Sequence, residues 1–479
     1  MISSCKNKLL FALLFSVLGT ALLCLGAVFN LINHYVYALV LSVFAVVLYF
    51  CFAIIVGKRN WLDLRAVFTG VWLLTIGLAS LRLTAYQEVW QSKTWILLGV
   101  AYFVFQIGAT AGDHYGDAIF CKIKACFSKV KTGRIVFECK ENRLYYVALI
   151  TTLIGFACFV AGVIKKGFIP CFSDDIFAYI NFYTKFHVFS VAATMAGGLC
   201  YYCIKTQPIS RVKKAILWFC IFYNVILFPI LIVSRGVFVT SAFTFTSVVF
   251  YLNKKRFIAL VLCVAAILGV YLFTSTLRNF TDEQLNILFQ PVEIGPTNPE
   301  NDPDASGPNE DEELYDDSSF ILSPKMAFLY GYLTVGHDNF NEAVQNLEEY
   351  TWGSRSLAPF NTILRIDAVG KLSESVENHF VRPYLNTNNI LGSFYYDFHE
   401  IGIVVFMLLF SFVFGAMQKC YEVFEGPFLL LVMSNTVQVG ALSFFENLTS
   451  RLEFWMFWGV VLIFAIATYL NIKPKENAK

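Results

Sequence analysis

Ala215–Leu252 reads AILWFCIFYNVILFPILIVSRGVFVTSAFTFTSVVFYL, 38 residues with one charge, Arg235. As a single helix it would run ~57 Å, nearly twice the ~30 Å hydrocarbon core of a bilayer. The stretch must therefore turn back, and Pro229 with Ser234-Arg235-Gly236 marks the place. Two spans follow, near 215–234 and 236–252, with the Arg235 guanidinium at or just below a membrane interface. A charge there needs snorkelling, a partner or a ligand. Arginine stays charged and meets phosphate oxygens with a bidentate fork. A snorkelled interfacial arginine and a pyrophosphate clamp are both consistent with that position.

Working outward, the same apolar pattern repeats. Spans are predicted near 9–29, 36–56, 64–82, 94–112, 144–164, 187–204, 257–275, 401–418, 427–445 and 454–470, about twelve in all. Composition agrees: 57% of residues are hydrophobic and 15% charged, against ~25% charged in a soluble protein. The predicted fold class is an all-α polytopic membrane protein with one large extracytoplasmic loop. A net charge of +2 points to no nucleic-acid partner. Lys6 and Lys8 before the first span resemble a signal-peptide start, but the span is long for that and lacks a small-x-small cleavage site, so a retained helix is expected. Most of the thirteen cysteines, such as Cys24, Cys51, Cys158, Cys220 and Cys263, sit inside apolar runs, where cysteine behaves as a small hydrophobe. Cys200 and Cys203 have redox spacing but no βαβ context.

Lys and Arg beside the spans set orientation. With both termini inside, 23 of the 36 basic residues fall on the cytoplasmic side, including seven between 113 and 143. The long polar segment 276–400 is then extracytoplasmic, between an N-terminal bundle (1–275) and C-terminal helices (401–479). From Thr276 to Asn389 it carries 19 Asp and Glu against six Lys and Arg. Residues 291–319, with Glu310-Asp311-Glu312-Glu313, bury too little apolar surface to fold alone and read as a disordered acidic arm. No spaced calcium loop appears there, and no metal site or cofactor is expected. Ser323–Val344 is amphipathic, as a surface or re-entrant helix would be. Asn279-Phe280-Thr281 and Asn447-Leu448-Thr449 match a glycosylation sequon, a pattern common by chance.

Two groups in the loop could carry chemistry. Asp397, His399 and Glu400 stand at the mouth of the tenth span. Carboxylates at a helix N-terminus are also stabilised by the helix dipole alone. A carboxylate or imidazole there is suited to take a proton from a sugar hydroxyl, and the amides of Asn386, Asn388 and Asn389 suit other hydroxyls. The second group is His337, Asp338, Arg355, Arg365, His379 and Arg382. Its arginines either pair with the loop's many carboxylates or hold an anionic headgroup.

Ser234-Arg235-Gly236 between two spans, Tyr330-Gly331-Tyr332-Leu333 followed by Asn339-Phe340, and the Asn-rich turn into Asp397-Phe398 with Gly402 opening the next span resemble the Wzy-type oligosaccharide repeat-unit polymerases. The layout looks like the C-type membrane glycosyltransferases. The chain departs at His399, where members often show glycine. The resemblance implies joining of undecaprenyl-pyrophosphate-linked glycan units on the periplasmic face of a bacterial inner membrane. It implies no metal or nucleotide sugar. Its expected partners are the lipid-linked glycans, membrane lipids and a chain-length regulator protein. It implies Asp397 as base, with His337 or His399 second, and Arg235, Arg355, Arg365, Arg382, Tyr330, Asn386, Asn388 and Asn389 as substrate-binding residues. A ligase of the same carrier and a lipid-linked oligosaccharide flippase are the alternatives. The flippase is disfavoured by charges gathered on one face rather than along mid-membrane spans.

Overall fold

The computed structural model describes residues 5–32, 34–55, 64–84, 86–127, 135–139, 142–173, 181–253, 324–364, 376–381 and 385–474. The predicted span at 257–275, the acidic arm, Arg365 and Arg382 lie outside the described residues, as does the side chain of Arg235.

Nearly all regular structure is helical. The N-terminal half contains α1 (Cys5–Leu31), α2 (Tyr35–Ile55), α3 (Leu64–Ala79), α4 (Ser92–Phe127), α5 (Arg143–Lys166), α6 (Lys185–Ala193), α7 (Ala196–Thr206), α8 (Arg211–Phe222), α9 (Phe228–Leu231) and α10 (Arg235–Leu252). The polar segment supplies α11 (Pro324–Asn346) and α12 (Ala358–Leu364), and the C-terminal part α13 (Ile390–Val423), α14 (Pro427–Leu442) and α15 (Leu452–Thr468). Five stretches are long and apolar enough to cross a bilayer: Ser92–Ile123, Arg143–Lys166, Lys185–Thr206, Arg211–Leu231 and Ile390–Tyr421. Shorter apolar helices accompany them. The chain is a multi-pass membrane protein.

The reversal after Pro229 is built as the sequence predicts. A π-helical turn over Tyr223–Leu227 leads into α9, Val233 adopts a positive φ of 52°, and the Ser234 hydroxyl caps α10 by accepting from Val237 N at 3.3 Å. Arg235 is thus the first residue of α10.

Two features are not evident in the sequence. First, α4 and α13 pack as a long parallel pair. A Cβ on Gly108 would lie 2.7 Å from the Leu408 carbonyl, and one on Gly112 would collide with the Phe412 carbonyl. A Cβ on Gly415 would lie 2.9 Å from the Ala109 carbonyl, and one on Gly116 3.0 Å from Ala416 Cα. Apolar side chains gain little by leaving lipid for one another, so such pairs depend on small residues that let backbones approach. Second, three strands meet at one end: β1 (Ile135–Cys139) lies between β2 (Phe424–Glu425), in parallel, and β3 (Tyr469–Pro474), antiparallel. β2 and β3 directly follow the C-termini of α13 and α15, and β1 follows α4 after a short connection. The sheet therefore marks the face opposite the starts of α4, α13 and α15.

α14 is buried along almost its whole length and joins two cores. One is formed by α1–α4, α11 and α13, around Phe68, Phe105 and Tyr396. The other is formed by α5, α7, α8, α10 and α15. Polar bonds lock α14 in place: Trp458 Nε1 donates to Asn435 Oδ1 at 2.6 Å, and Trp72 Nε1 to Ser443 Oγ at 2.7 Å.

Candidate functional site at the mouth of α13

α13 is not a simple span. It begins eleven residues before 401, with Asn389 as its cap (Gly392 N to Asn389 Oδ1, 2.8 Å), and breaks at Phe398 (φ −151°, ψ 27°) and His399 (φ 48°, ψ −134°). At the break Gly402 lies against the Phe394 carbonyl, where a Cβ has no room. His399 thus occupies a backbone conformation that glycine adopts freely and a bulky residue does not. This is the position where the resembled family often has glycine. The local backbone needs positive φ, and histidine adopts it under strain.

Asp397 is fully buried and closes the loop beneath it. Its Oδ1 accepts from Thr351 Oγ1 (2.6 Å) and Arg355 N (3.1 Å), and its Oδ2 from Ser356 N (2.9 Å). Both carboxylate oxygens are therefore engaged in fixing the 351–356 turn. What this turn presents is Arg355. Its guanidinium lies over the Tyr396 ring, 3.6 Å from the centroid, and reaches the Val376 carbonyl at 3.4 Å. Burial lowers the guanidinium pKa, opposed by Tyr396 and Asp397. Among the described residues no carboxylate makes an ion pair with it. A flat, ring-backed guanidinium with open donors is suited to a bidentate anion.

His399 lies in a stack of rings. Its imidazole is parallel to Tyr395 (4.8 Å) and close to Tyr350 (4.1 Å), and its buried Nε2 has no hydrogen-bond partner. Beside it Lys93, at the start of α4, pairs with Glu400 (2.6 Å) and donates to the Tyr395 hydroxyl (3.0 Å). This joins the first part of α4 to the α13 break.

His337 is placed differently. It is fully buried on α11, with Nε2 2.9 Å from Thr75 Oγ1, Nδ1 3.3 Å from Asn389 Nδ2, and Trp72 edge-on. The whole run from His337 to Asn341 is a keystone. Asp338 accepts from Trp90 Nε1 (2.9 Å) and Gln87 Nε2 (3.0 Å). Asn339 pins the carbonyls of Leu385 and Thr387 (2.5 and 2.7 Å). Asn341 accepts from Thr94 Oγ1 (2.8 Å) and Gln91 N (3.0 Å). Tyr330 belongs to the same frame, its hydroxyl donating to the Leu78 carbonyl at 2.8 Å. Of the three asparagines, Asn389 is committed to the cap and to His337, Asn388 is half-buried with its Oδ1 unpartnered, and Asn386 is exposed. Asn447 of the sequon is buried and caps a short turn through Thr449, so it is closed to modification in the fold.

The keystone has a pH signature. Burial lowers the His337 pKa to about 3, from 6.5, and raises that of Asp338 to about 7, from 3.8. His337 contributes stability above pH 6.5 that is lost as pH falls toward 3. Asp338 contributes stability below pH 3.8 that is lost as pH rises through 7. Between these limits the two slopes, about 1.4 kcal/mol per pH unit each, oppose one another. Asp338→Asn removes one slope. Its melting temperature in detergent is expected to fall increasingly below wild type from pH 6.5 to pH 4.5. A constant difference over that range would show that Asp338 does not take up a proton in the fold.

Asp397, Arg355, His399, Asn388 and Asn389 thus gather at the start of α13, while His337 and Tyr330 lie in the supporting frame. Lys93, Thr351, Tyr395 and Tyr396 belong to the site too. Nothing local marks them, since Lys93 meets its partners across some three hundred residues. Arg235 opens α10, which packs on α14 through Thr244 and Gln438 (3.3 Å). The end of α14 in turn meets the start of α13 through Ile390 N and the Ser443 carbonyl (2.8 Å). Four of the five described non-glycine residues at positive φ lie at this end of the helices, Arg82, Val233 and Trp352 in turns and His399 at the α13 break. Strain of this kind collects where function over-determines the backbone. Among the described residues no group of His, Cys, Asp and Glu is placed to hold a metal ion, and Cys200 and Cys203 are free and buried. No family model, curated protein or solved structure matches the chain.

Proposed function

We propose that the chain joins polyprenyl-pyrophosphate-linked oligosaccharide units into a longer glycan at the outer face of a bacterial inner membrane, as a polymerase of about twelve spans with both ends cytoplasmic. The observation that carries this is Arg355, held flat on Tyr396 by a turn that Asp397 fixes, with no carboxylate in ion-pair contact with it among the described residues. The orientation is supported by the sheet: β1 and β3 belong to the segments whose lysines and arginines predict the cytoplasmic side, and the candidate residues lie at the other end. The glycine-like backbone at His399 supports the family resemblance.

In this reading the acceptor hydroxyl loses its proton to His399 as its oxygen forms the new glycosidic bond. The bond from the donor sugar to the pyrophosphate breaks, and the departing diphosphate takes the electron pair. Arg355 stabilises that charge, with Arg235, Arg365 and Arg382 assisting. An anion-stabilising donor of this type is worth roughly 3–4 kcal/mol. His399 takes the base role because its Nε2 is unpartnered, whereas the acceptor atoms of Asp397 and His337 are already engaged. Asp397 acts as the positioning residue for Arg355.

The test uses the purified full chain in vesicles with lipid-linked single units and neither nucleotide sugar nor ion gradient. A ladder of longer glycans is expected, and Arg235→Ala is expected to shorten it. No ladder from the wild-type chain removes the reading. A deletion strain carrying one repeat unit on its surface lipid fits a polymerase, and one carrying none fits a ligase.

A further inference from the structure

Next to Arg355 is an arrangement that the transfer step does not use. Trp352 is 63% exposed, the most open tryptophan among the described residues, yet its backbone has φ 50° and is followed by Gly353 at φ 84°. Its ring stands edge-on to Phe398 at 5.9 Å and tilted to Tyr350 at 5.2 Å. Tyr350 is itself 38% exposed and rests on His399. The turn that imposes the strain is the one Asp397 closes through Thr351, Arg355 and Ser356. The hydroxyls of Ser354 and Ser356 on this turn are buried and have no partner among the described residues, and Ser354 is only 2% exposed.

A tryptophan that merely inserts into lipid can hang from any relaxed loop. One that is both open to solvent and held at positive φ is being aimed by the turn that carries it. Large aromatic faces with polar atoms at their edge suit a partner that is apolar on one side and hydroxylated on the other. A pyranose ring has that character, with C–H groups on its faces and hydroxyls at its rim. We propose that Trp352 and Tyr350 form a carbohydrate subsite that seats a sugar ring of the acceptor unit, with Ser354 and Ser356 meeting its hydroxyls. The choice of acceptor rests on the function proposed above, whereas the sugar subsite itself does not.

The probe is the oligosaccharide released by mild acid from the lipid-linked units that accumulate in the deletion strain. It is titrated calorimetrically into the purified full chain and into three variants. Trp352→Phe keeps a ring and is expected to bind within about threefold of wild type. Trp352→Leu keeps apolar bulk without a ring, and with Trp352→Ala is expected to bind at least tenfold more weakly. In the elongation assay Trp352→Ala should raise the acceptor KM by a similar factor and leave kcat within twofold. If Trp352→Leu binds like wild type, apolar contact suffices and the side chain is a lipid anchor, which overturns the proposal. Unchanged binding by Trp352→Ala, or none by wild type, also overturns it. Ring-dependent binding without chain extension would keep the subsite and remove the polymerase reading.

Discussion

Arg355→Ala is expected to lower chain extension roughly 100- to 1,000-fold, the loss seen when a donor that stabilises a developing anion is removed. The protein should still reach the membrane in normal amount, because the side chain is only half-buried. Arg355→Lys should recover little, since an ammonium can neither lie flat on Tyr396 nor offer a planar fork. Asp397→Asn is the informative companion. In the proposed reading Asp397 only positions Arg355, and the substitution replaces an acceptor facing Arg355 N and Ser356 N with a group that is half donor. Leaving one of those buried N–H groups unpaired costs about 1–3 kcal/mol and frees the turn. Its activity should fall with that of Arg355→Ala, and limited proteolysis should cut near residue 355 faster than in wild type. If Asp397→Asn is inactive but the turn stays as protected as in wild type, the carboxylate acts on substrate directly and the base belongs there.

Gly112→Ala is expected to be the most damaging small substitution in the membrane core. In an isolated helix the exchange would help by up to about 1 kcal/mol. Here the new methyl group would collide with the Phe412 carbonyl and lie 2.9 Å from Ala416 N, which are backbone atoms that cannot swing aside. Separation of α4 from α13 should cost about 1–3 kcal/mol, as overpacking usually does. It should also loosen the Lys93–Glu400 contact that holds the mouth of the site. Gly99→Ala, on the same helix, is the control: its methyl group would meet nothing nearer than 3.7 Å. Thermal unfolding in detergent should place Gly99→Ala at or above wild type and Gly112→Ala well below. Equal melting temperatures would mean that the pair does not depend on close backbone approach.

Chain order alone carried most of the architecture. Eleven of the predicted spans coincide with helices among the described residues, because a bilayer demands about twenty apolar residues per crossing and this chain interrupts them with charge. The reversal before Arg235 followed from length and Pro229 alone, and the candidate residues near 397 were visible as polar types in an apolar chain. Their roles were not visible. Asp397 reads as a base in sequence and becomes the clasp of a turn, because Thr351, Arg355 and Ser356 reach it from some forty residues away. His337 reads as a reactive imidazole and becomes a buried strut between Thr75 and Asn389. Spans are set by a local quantity, the free energy of moving each segment from water into hydrocarbon, and every residue in a segment contributes to it. Roles are set by which donors meet which acceptors after the helices pack, and those partners come from distant parts of the chain.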